Sequence, residues 1–259
     1  MSSQDNPRDH AHHPLRAAPG TATDTAGVPW ARRDLSPSGF EEDAGASDPA
    51  LLAALADEGG DEARLMERVA AGRFVVAVVA HAEETVTGAD GLVQDASVEM
   101  ALVTLVAPDG RRALPTFTGV AELTAWDPAA RPVPVTADRL GQAAIAESCE
   151  VIVVNLASPS PRELRPSQVW ALAMRRTWTP PHADPFVADA VAAALAAVPD
   201  VTGHTLYAAD PPGSLGVEVA LRPGLGPREV EALVTGVGER LAADGEFRAR
   251  IDGLAFRLR

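Results

Sequence analysis

The chain contains no lysine; all 22 of its basic residues are arginine. That excludes Schiff-base chemistry and a phosphate loop that depends on lysine. A single cysteine, Cys149, rules out an internal disulfide and makes a cytoplasmic location the expectation. Aromatic residues are 4% of the total, so Val, Leu and Ala must fill any core. No apolar run approaches the ~20 residues that span a bilayer. The N-terminus lacks a charged start followed by an apolar stretch, so no signal peptide and no membrane association are expected. The motifs H-E-x-x-H, C-x-x-C and G-x-S-x-G are missing, as is a dinucleotide fingerprint. Cationic excess is missing too. The net charge is −14 and the acidity is spread along the chain, which repels phosphate backbones and argues against nucleic acid as a partner.

What remains is 46% hydrophobic residues in 259, enough for two modest domains or one large one. Residues 1–47 are rich in Pro, Gly, Ser, Thr and Ala with no sustained period. Such a segment buries too little apolar surface to offset its ordering entropy, and is read as a disordered tail. His10, His12 and His13 lie in it without thiolate or carboxylate support, so no metal site is assigned.

Ser47-Asp48-Pro49 opens the folded part with a cap and a first-turn proline. Leu51, Leu52 and Leu55 predict one helix, and Leu65, Met66 and Val69 a second over 61–71. Phe74 to Val79 is continuously apolar, the mark of a strand covered on both faces. Residues 83–97, with Asp90-Gly91, predict a loop. Val98–Val106 and Arg111–Phe117, joined by Pro108-Asp109-Gly110, predict a hairpin. A short helix follows over 119–126, then an edge segment with prolines over 132–135. A helix over 138–149, a buried strand at Val151–Val154 and a helix from Pro166 complete a domain over 48–178. Thr179-Pro180-Pro181 marks a boundary.

A second domain is predicted over 184–259. Asp184-Pro185 opens a helix, strands lie near 204–208 and 215–222, and Gly226-Pro227 opens another helix. At the end, Phe247, Ala249 and Ile251 alternate, then Asp252-Gly253, then Leu254, Phe256 and Leu258. This predicts a terminal hairpin with Arg248 opposite Arg257, and with Arg250 and Arg259 on the same face. The chain's own Glu218 or an acidic partner would relieve the repulsion between them. The fold class expected is α+β, with two mixed α/β sandwich-like domains behind a disordered tail.

Ala113-Leu114-Pro115-Thr116-Phe117-Thr118 at the hairpin's end, the helix ending at Trp126, and Val151–Asn155 with Ala157-Ser158-Pro159 together resemble the SseB family, named for enhanced serine sensitivity. The resemblance covers about residues 50–178, and 184–259 is similar to the smaller C-terminal domain that often follows. The family has no established active site, so the resemblance carries over no functional residue.

Candidate sites follow from the residues themselves. Thr116, Thr118, Asn155 and Ser158 lie where a parallel sheet would end, a place that suits a small polar ligand. Trp126 and Trp178 are candidate partner anchors, as are Arg248, Arg250, Arg257 and Arg259. Cys149, beside Glu150 at a helix C-terminus, is read as structural, since dipole and carboxylate both oppose a thiolate. His81, with Glu83 and Glu84, is the one acid–base candidate. No catalytic residue, metal or cofactor is assigned. The expected function is a non-enzymatic intracellular binding or regulatory protein of the SseB type with a protein partner, linked by that resemblance to serine tolerance. An enzyme or enzyme accessory in serine or sulfur metabolism is the alternative.

Overall fold

The computed structural model describes residues 39–57, 59–82, 98–108 and 110–259, with backbone alone for 80–82 and 98–100. The calls on the three tail histidines, the Asp90-Gly91 turn, the His81 side chain, Glu83 and Glu84 lie outside the described residues.

Helices α1 (Pro49–Ala56) and α2 (Glu62–Ala71) begin at Asp48 and Asp61, whose carboxylates accept from the exposed first-turn N–H groups. Strand β1 (Arg73–Ala82) then enters a sheet with β2 (Val98–Leu102), β3 (Leu105–Val106), β4 (Arg112–Phe117), β5 (Arg131–Thr136), β6 (Val151–Val154) and β7 (Arg162–Leu164). Along one edge β1 carries β5, Arg73 lying opposite Thr136. Along its other edge it meets β4 at Val75 and Val76, then β2 from Val78 onward. The predicted hairpin is present between β3 and β4, while β2 turns away to β1. β4 and β6 run parallel, and β7 pairs antiparallel with β6. Three residues are too few to leave a periodic trace, so β7 was not foreseen.

The apolar run in β1 alternates after all. Phe74, Val76 and Val78 face a core built with α1, α2, α4 (Ala137–Ala146) and α5 (Pro166–Ala173). Val75 and Ala77 face Phe117 and α3 (Val120–Trp126) on the other side. Both faces are covered, as the continuous run implied. α4 ends at Ala146 rather than at Cys149, because Glu147 and Ser148 close a turn in which Ser148 has φ 55°.

A second sheet of three strands holds β8 (Val201–Ala209), β9 (Ser214–Leu221) and β10 (Gly253–Leu258), with β9 central. Its apolar face packs under α6 (Pro185–Ala196), α7 (Pro227–Ala243) and α8 (Gly245–Arg250). On its other face the Tyr207 ring lies on Gly216, where an added Cβ would stand 2.4 Å from the ring.

The terminal hairpin is not formed. Residues 245–250 are helix α8, and β10 runs parallel to β9, with Leu254 opposite Leu215. Asp244 caps α8 by accepting from Glu246 and Phe247 N–H. Phe247 and Ile251 are four apart, so one pair of apolar residues satisfies helical spacing as well as strand alternation. Parallel neighbours need a long crossover, which α7 and α8 supply. The folded part also begins earlier than Asp48. Arg73 binds Asp43 at 2.7 Å and the Ala46 carbonyl at 2.8 Å, and Val120 N–H donates to the Gly45 carbonyl. Both sheets lie in one unit, Asp43–Arg259. No helix among the described residues is long and apolar enough to cross a membrane.

Candidate functional site

Three of the four residues chosen for a polar ligand, Thr116, Thr118 and Asn155, do approach one another, but their side-chain polar groups are used internally. Asn155 follows β6 in the left-handed region at φ 53°, which asparagine tolerates better than most residues. Its Oδ1 accepts from the Thr118 N–H at 2.9 Å, and its Nδ2 donates to Thr118 Oγ1 at 3.0 Å. Ser47 Oγ reaches the same hydroxyl at 2.9 Å and donates to Glu122 at 2.7 Å. Arg73 holds the Thr118 carbonyl, and Thr116 Oγ1 donates to the Val75 carbonyl. Thr118 is 1% exposed and Asn155 6%. This cluster fastens segment 43–47 and the ends of β4 and β6. Ser158 is tied to Asn155 by its backbone alone, its N–H donating to the Asn155 carbonyl at 2.8 Å, while its Oγ is buried without a hydrogen-bond partner among the described residues.

The tryptophans divide. Trp126 is half-buried against Phe117, the rings 5.4 Å apart. Trp178 is 6% exposed, and its indole N–H donates to Ser167 Oγ. Burial of that kind makes it a structural anchor rather than a free one.

The arginine face also divides. Arg250 forms ion pairs with Asp184 at 2.7 Å and Glu246 at 2.6 Å, and lies over Phe186 and Trp170. Burial pulls its pKa down, but the two carboxylates outweigh that and hold it above its ordinary value. Arg257 and Arg259 share Glu218, the own-chain partner foreseen for them, and Arg257 also caps the Tyr207 ring. Arg248 is exposed on α8, away from β10, with no ion pair among the described residues. The four do not form one cationic surface.

Sequence reasoning missed the polar junction between the two sheets' halves. Arg165 donates to both Glu62 oxygens, at 2.7 and 2.9 Å, and to Asp252 at 3.0 Å. Asp252 also accepts from the Ser167 N–H and hydroxyl. The residue read as a hairpin turn is therefore the anchor of this junction. No local pattern signals a pairing that spans the chain from residue 62 to 252.

Nearby, a cavity of about 700 Å³ opens between α2, the start of α4 and the end of α5. Met66, Leu172 and Trp178 give it an apolar floor, and Glu67, Arg139, Arg175 and Arg176 stand among its lining residues. Two local features shape it. Gly141 lets α4 press on α5, since an added Cβ would lie 2.6 Å from the Ala173 backbone nitrogen. Arg175 follows α5 in the left-handed region at φ 54°, and its guanidinium grips Asp138 at 2.6 and 2.8 Å. The Thr136 hydroxyl first, and Arg175 with it, hold the Asp138 carboxyl below its ordinary value against opposing burial. Sequence periodicity placed each of these helices but gave no measure of the space between them.

Cys149 is buried, and burial pushes its thiol pKa up, with Arg112 pulling against it. Among the described residues no cluster of His, Cys, Asp and Glu is arranged to hold a metal ion.

Residues 49–171 match the profile of the SseB protein N-terminal domain. The chain thus carries a domain of the SseB family. The matched region includes β1 to β7 and helices α1 to α4, and it ends inside α5. No curated protein and no solved structure matches the chain significantly.

Proposed function

We propose that the protein is a non-enzymatic binding or regulatory protein of the SseB type. It acts inside the cell, is linked to serine tolerance, and has residues 184–259 as an SseB C-terminal-like domain. The cavity between α2, α4 and α5 carries this reading. Its volume lies within the ~300–1,000 Å³ range of small-molecule sites. Its floor is apolar, and its one hydroxyl–carboxylate pair, Thr136 with Asp138, suits binding better than catalysis. A carboxylate held below its ordinary pKa by a hydroxyl and an arginine is a weak general base at neutral pH. A buried thiol with a raised pKa is likewise a poor nucleophile.

The test is complementation. A strain lacking the protein is grown on excess serine and supplied with the parent chain, Cys149→Ala or Ala70→Trp. Ala70 is exposed and lines the cavity, so tryptophan there fills the mouth without entering the core. Growth is expected with the parent and with Cys149→Ala but not with Ala70→Trp. Full growth with Ala70→Trp removes the cavity from the function, and failure of Cys149→Ala favours the enzymatic alternative. Affinity capture from the native host, read by mass spectrometry, identifies the partner.

A further inference from the structure

We infer that the cavity between α2, α4 and α5 binds a small amphipathic monocarboxylate, its apolar body on Met66, Leu172 and Trp178 and its carboxylate on Arg139. This rests on the reading of that cavity as the binding site and adds the chemistry of its ligand.

The argument is one of complementarity. The chain carries a net charge of −14, yet the cavity lining holds Arg139, Arg175 and Arg176 against Glu67 and Asp138. Two of these arginines are already engaged, Arg175 by Asp138 and Arg176 by Glu246 at 2.9 Å. Arg139 is not. It is exposed, and among the described residues it forms no ion pair and its side chain donates only to the Gln142 side-chain oxygen, at 3.4 Å. A guanidinium with open donors beside an apolar floor matches a single carboxylate on an apolar body. Glu67 and Asp138 repel a second negative charge, which disfavours dicarboxylates and phosphate dianions. The floor residues Met66, Leu172 and Trp178 belong to the first core, and the exposed Ala70 and Ala71 add apolar surface to the cavity lining. An apolar tail laid on this surface gains roughly fourfold in affinity per methylene fully removed from water.

The test uses the full chain with decanoate, hexanoate and decyltrimethylammonium at sub-micellar concentration, read by calorimetry and by tryptophan fluorescence. Decanoate is expected to bind, with hexanoate far weaker. Arg139→Glu should weaken decanoate about tenfold or more, because a charge-assisted bond is replaced by repulsion. Ala70→Trp should abolish binding, and both variants should keep the parent's melting temperature. Equal binding of decyltrimethylammonium, or unchanged decanoate affinity in Arg139→Glu, overturns the ligand class. If neither chain-length acid binds while Ala70→Trp still fails to complement, the carboxylate is wrong and the cavity's role stands. Full complementation by Ala70→Trp overturns both.

Discussion

The two sheets of this protein solve the same problem differently. The first is covered on both faces, by four helices on one side and α3 on the other, and the residues of β1 from Phe74 to Val78 are apolar and shared between the two cores. Among the described residues the second has helices on one face only, α6, α7 and α8, and its far side carries single contacts such as Tyr207 on Gly216 and Arg257 on Tyr207. Where the two halves meet, Arg165 pairs with Asp252 while holding Glu62, and Arg176 pairs with Glu246. A doubly covered sheet is specified mainly by hydrophobicity, whereas a half-covered sheet and a polar junction depend more on particular residues, so substitutions should act on them differently.

The largest effect is expected from Phe247→Ala. Phe247 is 1% exposed and plugs the second core from α8, so its loss should cost about 3–5 kcal/mol. Hydrogen exchange should show protection falling first over 184–259. Equal loss over β1 and β4 would mean that the two halves open as one cooperative body.

Arg165→Ala comes next. It leaves Asp252 and Glu62 facing each other without their cation, at a cost of about 2–4 kcal/mol given partial burial. Urea unfolding should broaden or split into two steps. A single sharp step with an unchanged midpoint would show that the junction contributes little.

Truncation sharpens the first half's boundary. Removing residues 1–42 should leave the melting temperature nearly unchanged. Removing 1–47 also takes away Asp43, Ala46 and Ser47 from Arg73 and Thr118, and should cost about 1–2 kcal/mol. Equal melting temperatures for the two truncations would return the boundary to Asp48.

The smallest effect is expected from Arg248→Ala with Arg257→Ala. Both side chains are exposed and Arg248 has no ion pair among the described residues, so stability should change by less than about 1 kcal/mol in thermal melts. Weaker capture of an acidic partner, most marked at low salt, would make Arg248 and Arg257 a docking surface; unchanged capture would leave them as solvated charges.

Much of the fold was legible because hydrophobic period and caps are local. Asp48-Pro49, Asp184-Pro185 and Gly226-Pro227 each open a helix, and the continuous run of β1 marks two covered faces. The end of the chain was not legible. Phe247 and Ile251 fit two periods equally, and Asp252-Gly253 has the form of a hairpin turn although Asp252 serves Arg165 and Ser167. The ligand candidates Thr118 and Asn155 were rightly placed together but satisfy each other.

By itself, then, the sequence determined the α+β class, the helix starts, the buried strands and the SseB character of the first half. These follow from residue type and spacing along a few turns of chain. Tertiary structure alone decided the parallel pairing of β10, the docking of residues 43–47, the Arg165–Asp252 junction and the cavity between α2, α4 and α5. Each of these joins residues far apart in sequence, and the free energy of such a pairing depends on distance and burial, which no local pattern records.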